Sequence, residues 1–155
     1  MANITSPLSG DAKNTTATCL QGTLMDLIDL SLVAKQMHWN VVGPNFRSVH
    51  LQLDEVVSLA RKHTDIVAER LVALGVNADG RSATVAKSTK LAQPESGWLE
   101  SGKVVAMMTD ILDGISKRMR ERVDETEKSD QATQDILIAV TQDIEKQRWM
   151  FQAMR

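Results

Sequence analysis

Five side chains of metal-ligating type recur at helical spacing in the first half of the chain: His38, His50, Asp54, Asp65 and Glu69. Two of the three histidines flank a Gly-Pro break in KQMHWNVVGPNFRSVHLQLDEV, residues 35–56. In HLQLD (50–54) and DIVAE (65–69) the outer residues form i,i+4 pairs, about 40° apart around a helix. The eleven residues from Asp54 to Asp65 return the chain to within about 20° of the same direction, so these four side chains share one stripe. His63, nine residues after Asp54, points about 180° away and is excluded from it.

One such stripe cannot hold an ion alone. A rise of 1.5 Å per residue separates Asp54 from Asp65 by roughly 16 Å, whereas metal–ligand bonds are about 2 Å. The pairs 50/69 and 54/65, however, share one midpoint, between residues 59 and 60. If this helix lies antiparallel against its own copy across a two-fold axis there, His50 faces Glu69 of the second copy and Asp54 faces its Asp65. Such self-complementarity is the rule at isologous interfaces. His38 and His50 sit at nearly the same level of a helical hairpin turned at Gly43, so His38 completes the cluster from its own chain. Taken singly, each acid or histidine reads more simply as decoration of a solvated face, and Arg61 on the same stripe could pair with the acids at a dimer seam. Five ligand types satisfying a single two-fold geometry favour the metal.

Two imidazoles and three carboxylates without thiolate suit Fe(II) or Mn(II), with Zn(II) competing on affinity. An oxygen-rich seam leaves positions open for water or oxidant, unlike a closed structural zinc site. Trp39 adjoins His38, where an indole can pass an electron to or from a redox metal; its other reading is packing at a helix end.

The elements that must carry these groups are helical. Leu20, Leu24, Leu27, Ser31, Ala34 and His38 recur at 3, 4 and 7 within a helix expected over about 16–42. VVGPN breaks it, Asn45 offers a cap for a second helix, and Gly75 ends that helix after about residue 74. A third helix (about 98–126) places Val104, Met108, Ile111, Leu112, Ile115, Met119 and Val123 on one side. A fourth (about 131–153) does so with Ile136, Leu137, Val140, Ile144 and Phe151. Residues 75–97 form one long crossover between helices two and three. Two tight connections around one long one predict an all-α, ferritin-like four-helix bundle over 16–155, preceded by a flexible tail, 1–15.

Composition narrows the function. Eighteen basic against twenty acidic residues give a net charge of −2, so no broad basic field attracts nucleic acid. Cys19 is the only cysteine, which excludes an intrachain disulfide and fits a reducing compartment. No signal sequence and no continuous run of about eighteen apolar residues is evident, so no membrane partner is expected. The cytoplasm is the expected location, at the nucleoid if DNA is bound.

KQMHWNVVGPNFRSVHLQLDEV followed by DIVAERLVALG resembles the signature of the Dps family, the mini-ferritins of starved bacteria, and DILIAVTQDIEKQRWMF fits the last helix by layout. The resemblance implies ferroxidase ligands at His38, His50 and Asp54 of one subunit and at Asp65 and Glu69 of its two-fold mate. It also implies a hollow homo-oligomeric shell of twelve chains that oxidises Fe(II), preferably with hydrogen peroxide, and stores ferric mineral. Acidic pores on a three-fold axis near the start of the last helix correspond to Asp130 and Asp135, which could equally cap that helix and stabilise its dipole. No Glu-x-x-His occurs, which disfavours the larger ferritins. Many relatives compact DNA with Lys-rich tails. Here Lys13 and the α-amino group stand against Asp11, and a shell of about −24 would oppose DNA, so DNA binding is the secondary expectation.

Overall fold

The structure, a computed structural model, describes residues 4–155, and the first three residues of the expected tail lie outside the described residues. Five helices account for most of it: α1 (Gly10–Asn40), α2 (Phe46–Ala73), α3 (Ser82–Ser88), α4 (Ser101–Thr126) and α5 (Gln131–Gln152). Helices α1 and α2 pack along one another, as do α4 and α5, and the two hairpins close on a shared core. Each expected stripe forms part of it. Leu20, Leu24, Leu27 and Ala34 of α1 meet Leu53, Val56, Ala60 and Val67 of α2. From the other side come Met108, Leu112, Ile115 and Met119 of α4 and Leu137, Val140, Ile144 and Phe151 of α5.

The boundaries depart from expectation in four places. Helix α1 begins at Gly10, inside the stretch expected to be a tail. Thr16 and Cys19 are already buried there, and Lys13 Nζ donates to the Gly75 carbonyl at 3.3 Å. Helix α1 also stops at Asn40 rather than 42, because Val41–Val42 (β1) turns extended and pairs in parallel with Leu99–Glu100 (β2). The same pairing delays α4 to Ser101. The crossover holds the short α3, tied to the bundle by Asp29, which accepts from Thr89 and, at 2.9 Å, from Gln93. Asn45 stands at the N-cap of α2 without capping through its side chain: it is left-handed (φ 61°), and only its carbonyl engages, accepting from Val49 N at 3.1 Å.

Gly75 ends α2 as expected. At φ 68° it lets Val76 N reach the Leu71 carbonyl (3.1 Å) while its own N bonds Val72 (2.9 Å), which closes the open carbonyls of the last turn. By length and composition α1 is long and apolar enough to cross a bilayer, but 67% of its apolar window is buried within the bundle. It also carries the buried acids Asp26 and Asp29, which marks a core helix.

Cys19 is 1% exposed, and its thiol donates to Glu125 Oε2 at 3.1 Å. Burial first, then this hydrogen bond and the negative charge of Glu125, pushes its pKa up to about 12. The thiol therefore stays protonated at pH 8. An aromatic disulfide reagent at that pH should leave the folded protein unlabelled and react only as denaturant unfolds it; fast labelling of the native protein would contradict the burial.

Candidate metal centre

The two imidazoles are placed by the break between α1 and α2. Residues 41–45 leave the helical path and are pinned from outside: β1 pairs with β2, and Ser101 Oγ donates to the Pro44 carbonyl. Gly43 adopts φ 98°, and a side chain there would collide with the Glu100 carboxylate, so this position requires glycine.

Across the break the histidines hold each other. His38 Nδ1 lies 2.8 Å from the His50 carbonyl, His50 Nδ1 lies 2.9 Å from the His38 carbonyl, and the rings stack with centroids 3.6 Å apart. A carbonyl only accepts, so each Nδ1 carries the proton, and in the neutral ring each Nε2 is left with a bare lone pair. Neither Nε2 has a partner among the described residues. A ring nitrogen locked on a carbonyl with the other free is the arrangement that metal-ligating histidines use. Phe46 leans on His50 with centroids 5.0 Å apart.

Asp54 joins the pair, its Oδ1 3.5 Å from His38 Nδ1. It is also engaged by a residue that the sequence reading passed over: Lys35 Nζ lies 2.5 Å from the same oxygen. The hydrogen bond from Lys35, opposed by partial desolvation and helped by the charges of His38 and Lys35, holds the Asp54 carboxyl below the usual carboxylate range. The signal was available, since Lys35 precedes His38 by three residues and so lies on the same helical face.

Asp65 and Glu69 are exposed and make no ion pair among the described residues, and neither does Arg61. Among the described residues of one chain, no three His, Cys, Asp or Glu side chains form a group that could hold an ion. His63 lies off the stripe, buried, with Nε2 2.8 Å from Asp143 Oδ2. Trp39 is 64% exposed, so it does not pack at the helix end within this chain. Asp130 is used locally: it caps α5 by accepting from Thr133 N (3.2 Å) and pairs with Arg70 (2.7 Å). Burial works against its charge, but the bonds from Thr133 and Arg70 outweigh this and lower its pKa. Asp135 is exposed.

A Ferritin-like domain model matches residues 18–155. Among relatives, a "DNA protection during starvation protein" of Agrobacterium fabrum is 33% identical over 147 residues, covering 94% of this chain and 91% of its own. "DNA protection during starvation protein 2" of Deinococcus radiodurans is 34% identical over 134 residues, covering 86% of this chain, which spans only 56% of that protein. The solved Mycobacterium smegmatis Dps (tetragonal form) superposes with TM-score 0.92 at 33% identity over 99% of this chain and 94% of its own. The Microbacterium arborescens Dps in its high iron form gives 0.91 at 29%, over 97% of each. The chain belongs to the Dps family. It is thus an all-α, ferritin-like member of that family, and the expected bundle with its long crossover is the fold it adopts.

For a Dps-family chain with this geometry, a cation taking Asp54 through Oδ1 competes with Lys35 for that oxygen. The pair is partly exposed and screened by solvent, so the obstacle is modest. Lys35→Gln should tighten binding of Co(II), a redox-inert probe, by about two- to fivefold in calorimetry of the assembled protein. Unchanged or weaker binding would show that Asp54 is not a ligand.

Proposed function

We propose that this chain is a ferroxidase and iron store whose reaction centres are shared between two copies. His38, His50 and Asp54 of one copy bind Fe(II) as substrate together with Asp65 and Glu69 of the other, the two α2 helices running antiparallel across a two-fold axis. The observation that carries this reading is the reciprocal His38–His50 hydrogen bonding, which occupies both Nδ1 atoms and leaves both Nε2 atoms without a partner among the described residues, with Asp54 Oδ1 3.5 Å from His38 Nδ1. The exposed Asp65 and Glu69 further along α2 support it, because no ion pair among the described residues occupies them. That a solved relative carries a high iron form supports iron over manganese or zinc.

The chemistry balances simply. Two Fe(II) each give one electron, hydrogen peroxide takes both with two protons, and two Fe(III) and two waters result. The carboxylates, hard oxygen donors, favour the ferric product as its charge rises. Water then hydrolyses Fe(III) to an oxide mineral, which a closed shell of twelve chains would retain. Consuming Fe(II) and peroxide together removes both reagents of hydroxyl-radical formation. Trp39, adjoining His38 in sequence, would supply the second electron when only one iron is present. Asp135, with its free carboxylate, suits a pore for entering cations better than Asp130, which Arg70 and Thr133 occupy.

DNA compaction, the alternative that the relatives' names raise, has less support in these residues. Lys13 is spent on the Gly75 carbonyl, and residues 4–9 contain no lysine or arginine.

The double variant Asp65→Ala/Glu69→Ala should keep its helical content. Its ferric absorbance after mixing with Fe(II) and peroxide should rise about a hundredfold more slowly, since even the outer partners of metal ligands cost 10–100-fold. A rate matching the parent would exclude the shared centre.

A further inference from the structure

The flank where α1, α4 and the crossover meet holds charge that the iron chemistry does not use. Asp26, 4% exposed, accepts from Arg118 Nε (3.1 Å) and Nη2 (2.8 Å) and from Arg122 Nη1 (2.7 Å). One carboxylate thus faces two guanidinium groups that are themselves largely buried, at 26% and 15% side-chain exposure. One positive charge is left over in a partly desolvated setting, which calls for a counter-anion. Arg118 Nη1 and Arg122 Nε and Nη2 have no acceptor among the described residues.

These groups border a cavity of about 610 Å³. An adjoining one of about 580 Å³ shares Lys90 and Arg118 and adds Lys103. Neither lysine has a carboxylate within ion-pair distance among the described residues. The lining acids are already engaged: Asp79 by Arg81 (2.9 and 2.7 Å) and Asp110 by Arg155 (2.6 Å). Glu125, one turn beyond Arg122, lines neither cavity, so Lys90, Lys103, Arg118 and Arg122 face Asp26 as the one lining carboxylate not paired with a further arginine. The trough is therefore cationic in a chain whose net charge is −2.

The trough is also pre-organised. Gly22 lies inside α1, where glycine weakens a helix, and a side chain there would meet Arg122 Nη2 at 2.8 Å, so the glycine provides the seat for that guanidinium. Gln21 holds both backbone groups of Asp79, donating to its carbonyl (2.8 Å) and accepting from its N (3.1 Å), which fixes the opposite rim. Met25 and Val76 give the cavity apolar wall.

We propose that this trough binds a small phosphorylated metabolite, its phosphate held by Arg118, Arg122 and Lys90 and its body lying against Met25 and Val76. Two guanidinium groups one helical turn apart with an ammonium nearby match a tetrahedral polyanion better than a single carboxylate. The volume fits a ligand of mononucleotide size. This inference is independent of the iron reading.

The test is calorimetric titration of the metal-free, full-length protein with inorganic pyrophosphate and with AMP. Both should saturate at one site per chain. Lys90→Gln, which removes no side-chain hydrogen bond or ion pair among the described residues, should weaken both by about tenfold or more with an unchanged melting temperature. Lys117→Gln, whose lysine pairs with Asp113 elsewhere on α4, should bind as the parent does. No saturable heat from either probe, or equal affinity in Lys90→Gln and the parent, would overturn the proposal. So would a short DNA duplex that binds through Lys90 when neither small probe saturates, because the trough would then be a track for a nucleic-acid backbone.

Discussion

The pair of hydrogen bonds that His38 and His50 exchange across the helix break is the constraint on which the rest of the structure turns. Each ring gives its Nδ1 proton to the other residue's backbone, so neither can rotate without losing a bond and the stacking contact. That requirement sets the register of α1 against α2 and explains the construction of residues 41–45. Gly43 and the left-handed Asn45 turn the chain within five residues, the β1–β2 pairing and Ser101 hold the turn to α4, and α2 restarts with His50 in its second turn. The second hairpin is therefore a support for the end that carries the two histidines as well as half of the core.

The same geometry explains why the centre is incomplete in one chain. A straight helix carries Asp65 and Glu69 about three turns beyond Asp54, too far for any bend to bring them back. In the proposed reading a second copy of α2 supplies what the first cannot, and reaction chemistry becomes conditional on assembly. Within the single chain Lys35 serves as counter-charge to Asp54, which keeps the carboxylate ionised and the site formed before a cation arrives. Asp26 with its two arginines shows the opposite balance, a carboxylate outnumbered by cations, and marks a second place where the fold holds unbalanced charge.

Much of this was legible in the residues. The four long helices, the crossover and nearly every core position follow from apolar spacing, since a stripe at 3, 4 and 7 has one way to be buried. The five candidate ligands followed from angular arithmetic on α2 and from the Gly-Pro break. What escaped depends on contacts between distant segments. The β1–β2 pairing joins residues 58 apart and rests on two residues each, too short for a periodic signal. Helix α1 reaches back to Gly10 because the start of the chain packs on the end of α2, where Lys13 meets Gly75. Lys35 went unremarked because a lysine is rarely sought beside a cation site, although its spacing from His38 showed it. Asp130 has the composition of a pore residue and the contacts of a helix cap, and only the position of Arg70 separates the two.

The sharing of one centre between two chains is tested most directly by complementation. A His38→Ala/His50→Ala chain and an Asp65→Ala/Glu69→Ala chain would each be inactive alone, then be unfolded, mixed in equal amounts and reassembled. If centres are shared across a two-fold axis, each mixed pair regains one intact centre, and ferroxidation should return to about a quarter of the parental rate. Mixed shells as inactive as either variant would contradict the account.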